Sequence, residues 1–149
     1  MLYFEDFRIG DLRRFGPRRV EAEEMIGFAE RYDPQDFHTD RAAAVAGPFG
    51  ALAASGWLTC GIVMELVVNG FIREAAWLGS PGVSDIRWPQ PLIEGSEVTA
   101  LSRVMEARPS KSRPDRGLVT FAWEAEGAEG QTFLTMNVVG IVRRAGLSA

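Results

Sequence analysis

Residues 51–71 read ALAASGWLTCGIVMELVVNGF, and what this stretch becomes decides the fold. In length and apolarity it comes close to a membrane span. Ser55, Thr59, Glu65 and Asn69 interrupt it, as do Gly56 and Gly61. A glutamate in hydrocarbon is costly, so a buried helix of a globular domain fits better. The pattern predicts one long helix over Ala51–Asn69, apolar on most sides. Its small residues Ala51, Ala53, Ala54, Ser55, Gly56 and Gly61 predict a close approach by a sheet or a second helix. Cys60 within it reads as a small buried hydrophobe.

The sequence on either side differs in character. Upstream, Leu12–Val20 reads as a short strand and Glu21–Arg31 as an amphipathic helix with Met25, Ile26, Phe28 and Ala29 on its apolar side. A polar loop, Tyr32–Asp40, and a short Ala-rich helix, Arg41–Ala46, follow, and Gly47-Pro48-Phe49-Gly50 breaks the latter. Downstream, Val83–Trp88, Glu97–Ala107, Leu118–Glu126 and Thr132–Val142 are strand-like runs rich in β-branched and aromatic residues. Gly127-Ala128-Glu129-Gly130 reads as a hairpin turn between the last two, and Arg108–Gly117 as a polar, basic loop. One long helix followed by a series of antiparallel strands is an α+β pattern, a sheet wrapped around a helix. No repeat or domain boundary interrupts it, so residues 1–149 are expected to form a single domain.

The net charge of −4, with acids and bases mixed along the chain, argues against nucleic acid or an anionic membrane surface as partner. The apolar fraction of 46% is that of a globular protein. A single cysteine permits no internal disulfide, and one cysteine with one histidine offers no metal-ligand cluster, so no metal is expected. The acidic start Met1-Leu2-Tyr3-Phe4-Glu5-Asp6 lacks a basic n-region, and the expected location is the cytoplasm.

The only histidine lies in Tyr32-Asp33-Pro34-Gln35-Asp36-Phe37-His38-Thr39-Asp40. Imidazole exchanges a proton near neutrality, and a carboxylate held beside it adds a second acid–base group or orients the ring. Asp33 and His38 are therefore the candidate catalytic pair. Asp36 and Asp40 read as capping or solvated residues.

These residues resemble those of the MaoC-type dehydratases, relatives of the (R)-specific enoyl-CoA hydratases with the hotdog fold. The signature of that group has an Asp, a His five residues on and an acidic residue two further; here they are Asp33, His38 and Asp40. Ala54-Ser55-Gly56-Trp57 stands at the distance of the family's helix-start glycine, and Ile86-Arg87-Trp88-Pro89-Gln90-Pro91 and Ser110-Lys111-Ser112-Arg113-Pro114 match later landmarks. The sequence departs from the commoner signature, which has Asn before Pro: here Pro34 follows Asp33 directly and Gln35-Asp36-Phe37 fills the gap. A subgroup opening with Tyr-Asp-Pro is the nearer relative.

The resemblance implies a hydro-lyase that adds water to a 2-enoyl thioester or removes it from a 3-hydroxyacyl thioester. It implies that Asp33 and His38 share water activation and proton delivery, and that the Gly56 backbone N–H holds the developing oxyanion. It implies no cofactor beyond the coenzyme A or acyl carrier protein that bears the substrate, and a homodimer or higher homo-oligomer whose sheets run on into one another. Ser55, Trp57, Lys111 and Arg113 are candidate contacts to substrate or carrier, with Arg116 near them. Two other readings compete. A hotdog thioesterase wants a carboxylate on the central helix, where Glu65 is the only acid, and a non-catalytic subunit would bind the acyl thioester without turnover.

Overall fold

The computed structural model describes residues 1–146. Five strands form one antiparallel sheet in the order β1-β3-β4-β5-β2, with β1 Leu12–Arg19, β2 Trp77–Arg87, β3 Glu97–Pro109, β4 Arg116–Gly127 and β5 Thr132–Arg143. Four helices precede β2: α1 Ala22–Tyr32, α2 Asp36–Thr39, α3 Arg41–Ala46 and α4 Gly56–Gly70. The period-two pattern of the long strands decides which face of the sheet is buried. In β4, Val119, Phe121, Trp123 and Ala125 all point inward and are buried, while Leu118, Thr120, Ala122 and Glu124 point away. Gly130 takes a positive φ of 81° in the β4–β5 turn, a conformation that glycine adopts without steric penalty.

The inward face receives α4. Leu58, Ile62, Val63 and Val67, at positions i, i+4, i+5 and i+9 on one face, are buried in the common core with Phe121, Trp123 and Val138. Each buried aliphatic side chain contributes about 1.5–3 kcal/mol, and this stripe is what holds the helix to the sheet. Arg18 of β1 reinforces the placement. Its guanidinium pairs with Glu24 of α1 at 2.6 Å and with Glu65 of α4 at 3.0 Å.

Three expectations are corrected. The helix starts at Gly56 rather than Ala51, because residues 52–54 run extended: Ala53 bridges to Ile93 and the Ala54 N–H donates to the Leu92 carbonyl at 2.8 Å. Ser55 then caps the helix, its hydroxyl accepting from the Trp57 N–H at 3.3 Å. The helix is also not buried on most sides. Trp57, Gly61, Met64 and Glu65 form an exposed stripe, Cys60 is half-buried, and Gly61 has open space where a Cβ would stand. Gly61 is therefore no packing glycine within this chain. Finally, β2 begins at Trp77, six residues before the predicted strand, and Trp88 lies beyond its end. It is an edge strand containing Pro81, and its pairing with β5 slips between Trp77 and Gly79, between Gly79 and Gly82, and between Ser84 and Arg87. Those interruptions hide the strand from a reading based on continuous alternation.

The placement of α4 makes a stability prediction. Ile62→Ala is expected to cost about 2–5 kcal/mol in urea denaturation, because it opens a cavity between helix and sheet. Asn69→Ala, on the exposed side, should stay within about 0.5 kcal/mol of wild type. Equal effects at the two positions would mean that α4 does not bury this face.

Candidate active site

Proline makes the loop after α1. Asp33 closes α1, its N–H donating to Ala29 O at 2.9 Å, and Pro34 cannot carry the helix on. Gln35 turns the chain, donating its N–H to Asp33 O at 2.8 Å, and stands as N-cap of the one-turn α2. This turn lay within the segment expected to be a loop, and it folds His38 back toward Asp33. Their separation is 3.4 Å from His38 Nε2 to Asp33 Oδ2.

Each member of the pair is held from the α4 side. His38 is buried, with Nδ1 2.6 Å from the Ala53 carbonyl. A carbonyl only accepts, so Nδ1 carries the hydrogen and Nε2 is the nitrogen that exchanges a proton, facing Asp33. The Ser55 hydroxyl donates to Asp33 Oδ2 at 2.7 Å, and the Gln35 side-chain amide donates to Oδ1 at 2.7 Å. Burial pushes the Asp33 carboxyl up, but these two hydrogen bonds and the charge of His38 outweigh it and hold the group below the usual carboxylate range. Asp33 is thus an anion at neutral pH.

The pair opens into a cavity of about 490 Å³. Phe37, Phe49, Trp57, Trp88, Leu92 and Phe133 supply much of its apolar lining, and Gly56 lies in the wall. The Gly56 N–H is one of the free donors of the first helical turn and has no protein acceptor among the described residues. Trp88 seats its indole against Gly56, donating Nε1–H to the Gly56 carbonyl at 2.9 Å, and meets Trp57 edge to face at 5.4 Å. A Cβ at position 56 would overlap the indole. The glycine is therefore required by the tryptophan packed on it as well as by any ligand that approaches its N–H.

The remaining candidates divide. Trp57 lines the cavity. Ser55 does not: it is fully buried, and its hydroxyl bonds Asp33 and the helix cap. Lys111 and Arg113 lie in the β3–β4 turn, and Arg116 begins β4 and pairs with Asp115. The cavity lies at the other end of the sheet, where Phe133 starts β5, and β3 spans thirteen residues between the two ends. At about 3.3 Å per residue that is roughly 40 Å of strand, so these cations do not reach the cavity of their own chain. Asp40 caps α3 by accepting from Ala43 N–H at 2.7 Å, and Asp36 lies exposed in the first turn of α2. Glu65 pairs with Arg18 away from the cavity. Among the described residues no group of three or more His, Cys, Asp or Glu side chains gathers to hold a metal. Sequence reasoning missed the clamp made by Gln35 and the walls made by Trp88, Phe49 and Phe133. The Pro34-Gln35 step was the one available signal for the first, and the walls come from segments that only the fold brings together.

A profile of the MaoC like domain matches residues 6–123. The chain belongs to the MaoC-like family. A MaoC-like dehydratase from Rhodospirillum rubrum is similar to it over nearly the whole length, with 37% identity, a TM-score of 0.90, and 99% of this chain and 100% of that chain covered. The 3-hydroxyacyl-thioester dehydratase Z of Mycobacterium tuberculosis is 27% identical over 125 residues, which cover 83% of each protein. The R-hydratase PhaJ1 from Pseudomonas aeruginosa shares the fold at a TM-score of 0.77 and 15% identity, over 99% of this chain and 92% of that one. The α+β hotdog architecture of this MaoC-like chain is thereby shown, and its family is one of hydratases and dehydratases.

Ser55 tests the electrostatics of this MaoC-like site. A carboxyl whose folded pKa is depressed contributes stability above its unfolded pKa, and that contribution is lost as pH falls through the folded value. Ser55→Ala removes one of the lowering hydrogen bonds, so the stability lost on acidification should be smaller than in wild type and its loss complete at a higher pH. Loss of the cap should also cost about 1 kcal/mol at neutral pH. Urea denaturation from neutral to acid pH checks both, and an unchanged acid limb would contradict the Ser55–Asp33 bond.

Proposed function

We propose that this protein is a hydro-lyase that interconverts 2-enoyl and 3-hydroxyacyl thioesters of coenzyme A or an acyl carrier protein. The observation that carries the reading is the Asp33–His38 pair, 3.4 Å apart at a largely apolar cavity whose wall includes the unpaired Gly56 N–H. In the hydration direction the thioester carbonyl accepts from Gly56 N–H at the positive end of α4. Asp33, as carboxylate, takes a proton from water while the hydroxide adds to C3. Protonated His38 delivers the Nε2 proton to C2. Asp33 then loses its proton to solvent and Nε2 regains one, so the pair is restored with atoms and charge balanced. The Ala53 carbonyl supports this cycle by fixing Nδ1 as the non-exchanging nitrogen.

Crotonyl-CoA and longer 2-enoyl-CoAs test the proposal directly. Loss of enoyl absorbance is expected. Release of free thiol would signal hydrolysis instead, a chemistry disfavoured by the ion pairing of Glu65 with Arg18, and the absence of either would mark a binding subunit. Asp33→Asn and His38→Ala are each expected to lower turnover by several orders of magnitude with the fold retained. Because the pair acts as a unit, the double variant should be little worse than either single one. Multiplicative losses would contradict a shared step.

The active unit is proposed to be a homodimer. Trp57 and Met64 are 56% and 44% exposed along one stripe of α4, with Gly61 between them, and Val83 of edge strand β2 is 52% exposed. Such apolar exposure beside an unpaired strand edge is covered economically by a second copy. Met64→Glu is expected to yield monomers in analytical ultracentrifugation, and a variant that sediments as wild type would place the interface elsewhere.

A further inference from the structure

The two oxygens of the Asp33 carboxylate are not equivalent. Oδ2 accepts from Ser55 at the α4 cap at 2.7 Å and faces His38 Nε2 of α2 at 3.4 Å, so both elements engage it. Oδ1 accepts from one partner, the Gln35 side-chain amide, at 2.7 Å. Gln35 is itself fixed by its backbone: its N–H donates to Asp33 O, and its carbonyl accepts from His38 N–H at 2.8 Å and from Thr39 Oγ1 at 3.2 Å. The residue thus links Asp33 and His38 through its main chain and reaches back to Asp33 with its side chain. Its side chain also lies in the cavity wall.

We propose that Gln35 is a positioning residue of the hydration reaction, locking the carboxylate plane of Asp33 so that Oδ1 is presented to the attacking water. The inference rests on the hydro-lyase reading given above and adds a residue to it. Without the amide, the Oδ2 bonds leave the carboxylate free to rock about its Cβ–Cγ bond, and a modest misplacement of a general base is costly in rate. The same amide stabilises the anion. His38, on α2, is the ionisable group whose charge bears on Asp33, while Ser55 at the α4 cap is neutral. Asp36 of α2 and Arg31 of α1 make no ion pair or hydrogen bond with it among the described residues. Loss of the Gln35 donor therefore moves Asp33 upward toward the ordinary carboxylate range, and a second carboxylate in its place moves it further.

The test uses Gln35→Met, which keeps the length of the side chain without the donor, and Gln35→Glu, which reverses the interaction. Both leave the backbone bonds of residue 35 in place. On a 2-enoyl-CoA, Gln35→Met should lower kcat about tenfold at neutral pH with KM within about twofold, as expected for loss of one hydrogen bond to a charged group. The acid limb of the rate profile should move to higher pH in Gln35→Met and further in Gln35→Glu. A purely structural role would lower the yield of folded protein without moving that limb. Carbon-detected NMR titration of the Asp33 carboxyl is run on the same proteins. If wild type shows no turnover the hydro-lyase reading fails, yet the titration still decides the clamp: its midpoint rises in both variants, or the clamp is absent. An unchanged midpoint, or an unchanged kcat and acid limb, overturns the proposal.

Discussion

The Ser55 hydroxyl is shared between the core and the chemistry. It accepts from the second N–H of α4 and donates to Asp33, so the start of the buried helix and the carboxylate of the pair are fixed by one oxygen. The rest follows from where α4 is held. Leu58, Ile62, Val63 and Val67 lock the helix against the curved sheet, and Ala53, two residues before Ser55, offers its carbonyl to His38. Ala53 is in turn set by its bridge to Ile93 and by the Ala54–Leu92 bond. Both acid–base groups are therefore referenced to residues 53–55, a buried and hydrogen-bonded segment. The loop that carries them is short and exposed, yet it inherits its precision from buried backbone.

Much of this was legible because it is local. The strands β3, β4 and β5 announced themselves by runs of β-branched and aromatic residues, as suits strands with one face on the core. The Asp33–His38 pairing was legible because Pro34 forces the chain to turn within the five-residue gap. What escaped depends on partners distant in sequence. The extended run at Leu52–Ala54 is apolar and Ala-rich, a helical composition, and only the ladder with Leu92 and Ile93 overrides it. Gly61 and Gly56 look alike in the sequence, but one faces open space and the other lies under Trp88. The basic turn at Lys111–Arg113 resembled a carrier site, and only the length of β3 shows how far it stands from the cavity.

Trp88 complicates any simple reading of the helix start. Its indole rests on Gly56 and hydrogen-bonds the Gly56 carbonyl, so the donor proposed for the thioester oxygen shares its residue with a structural contact. Trp88 also sits at the exit of β2, which ties the edge of the sheet to the helix terminus.

The irregular edge of β2 bears on how two copies can meet. Pro81 has no N–H, and the slips on either side of it break the rhythm of donors and acceptors that a joining strand requires. A random extended peptide meets a gap in the ladder there and gains little. A second β2, run antiparallel about a twofold axis, brings the same gap with it. Symmetry then allows only registers in which both gaps fall where no bond is needed. An edge built this way discriminates against foreign strands, and in the homodimer proposed above it would accept only its own image, with the position of one proline setting the register.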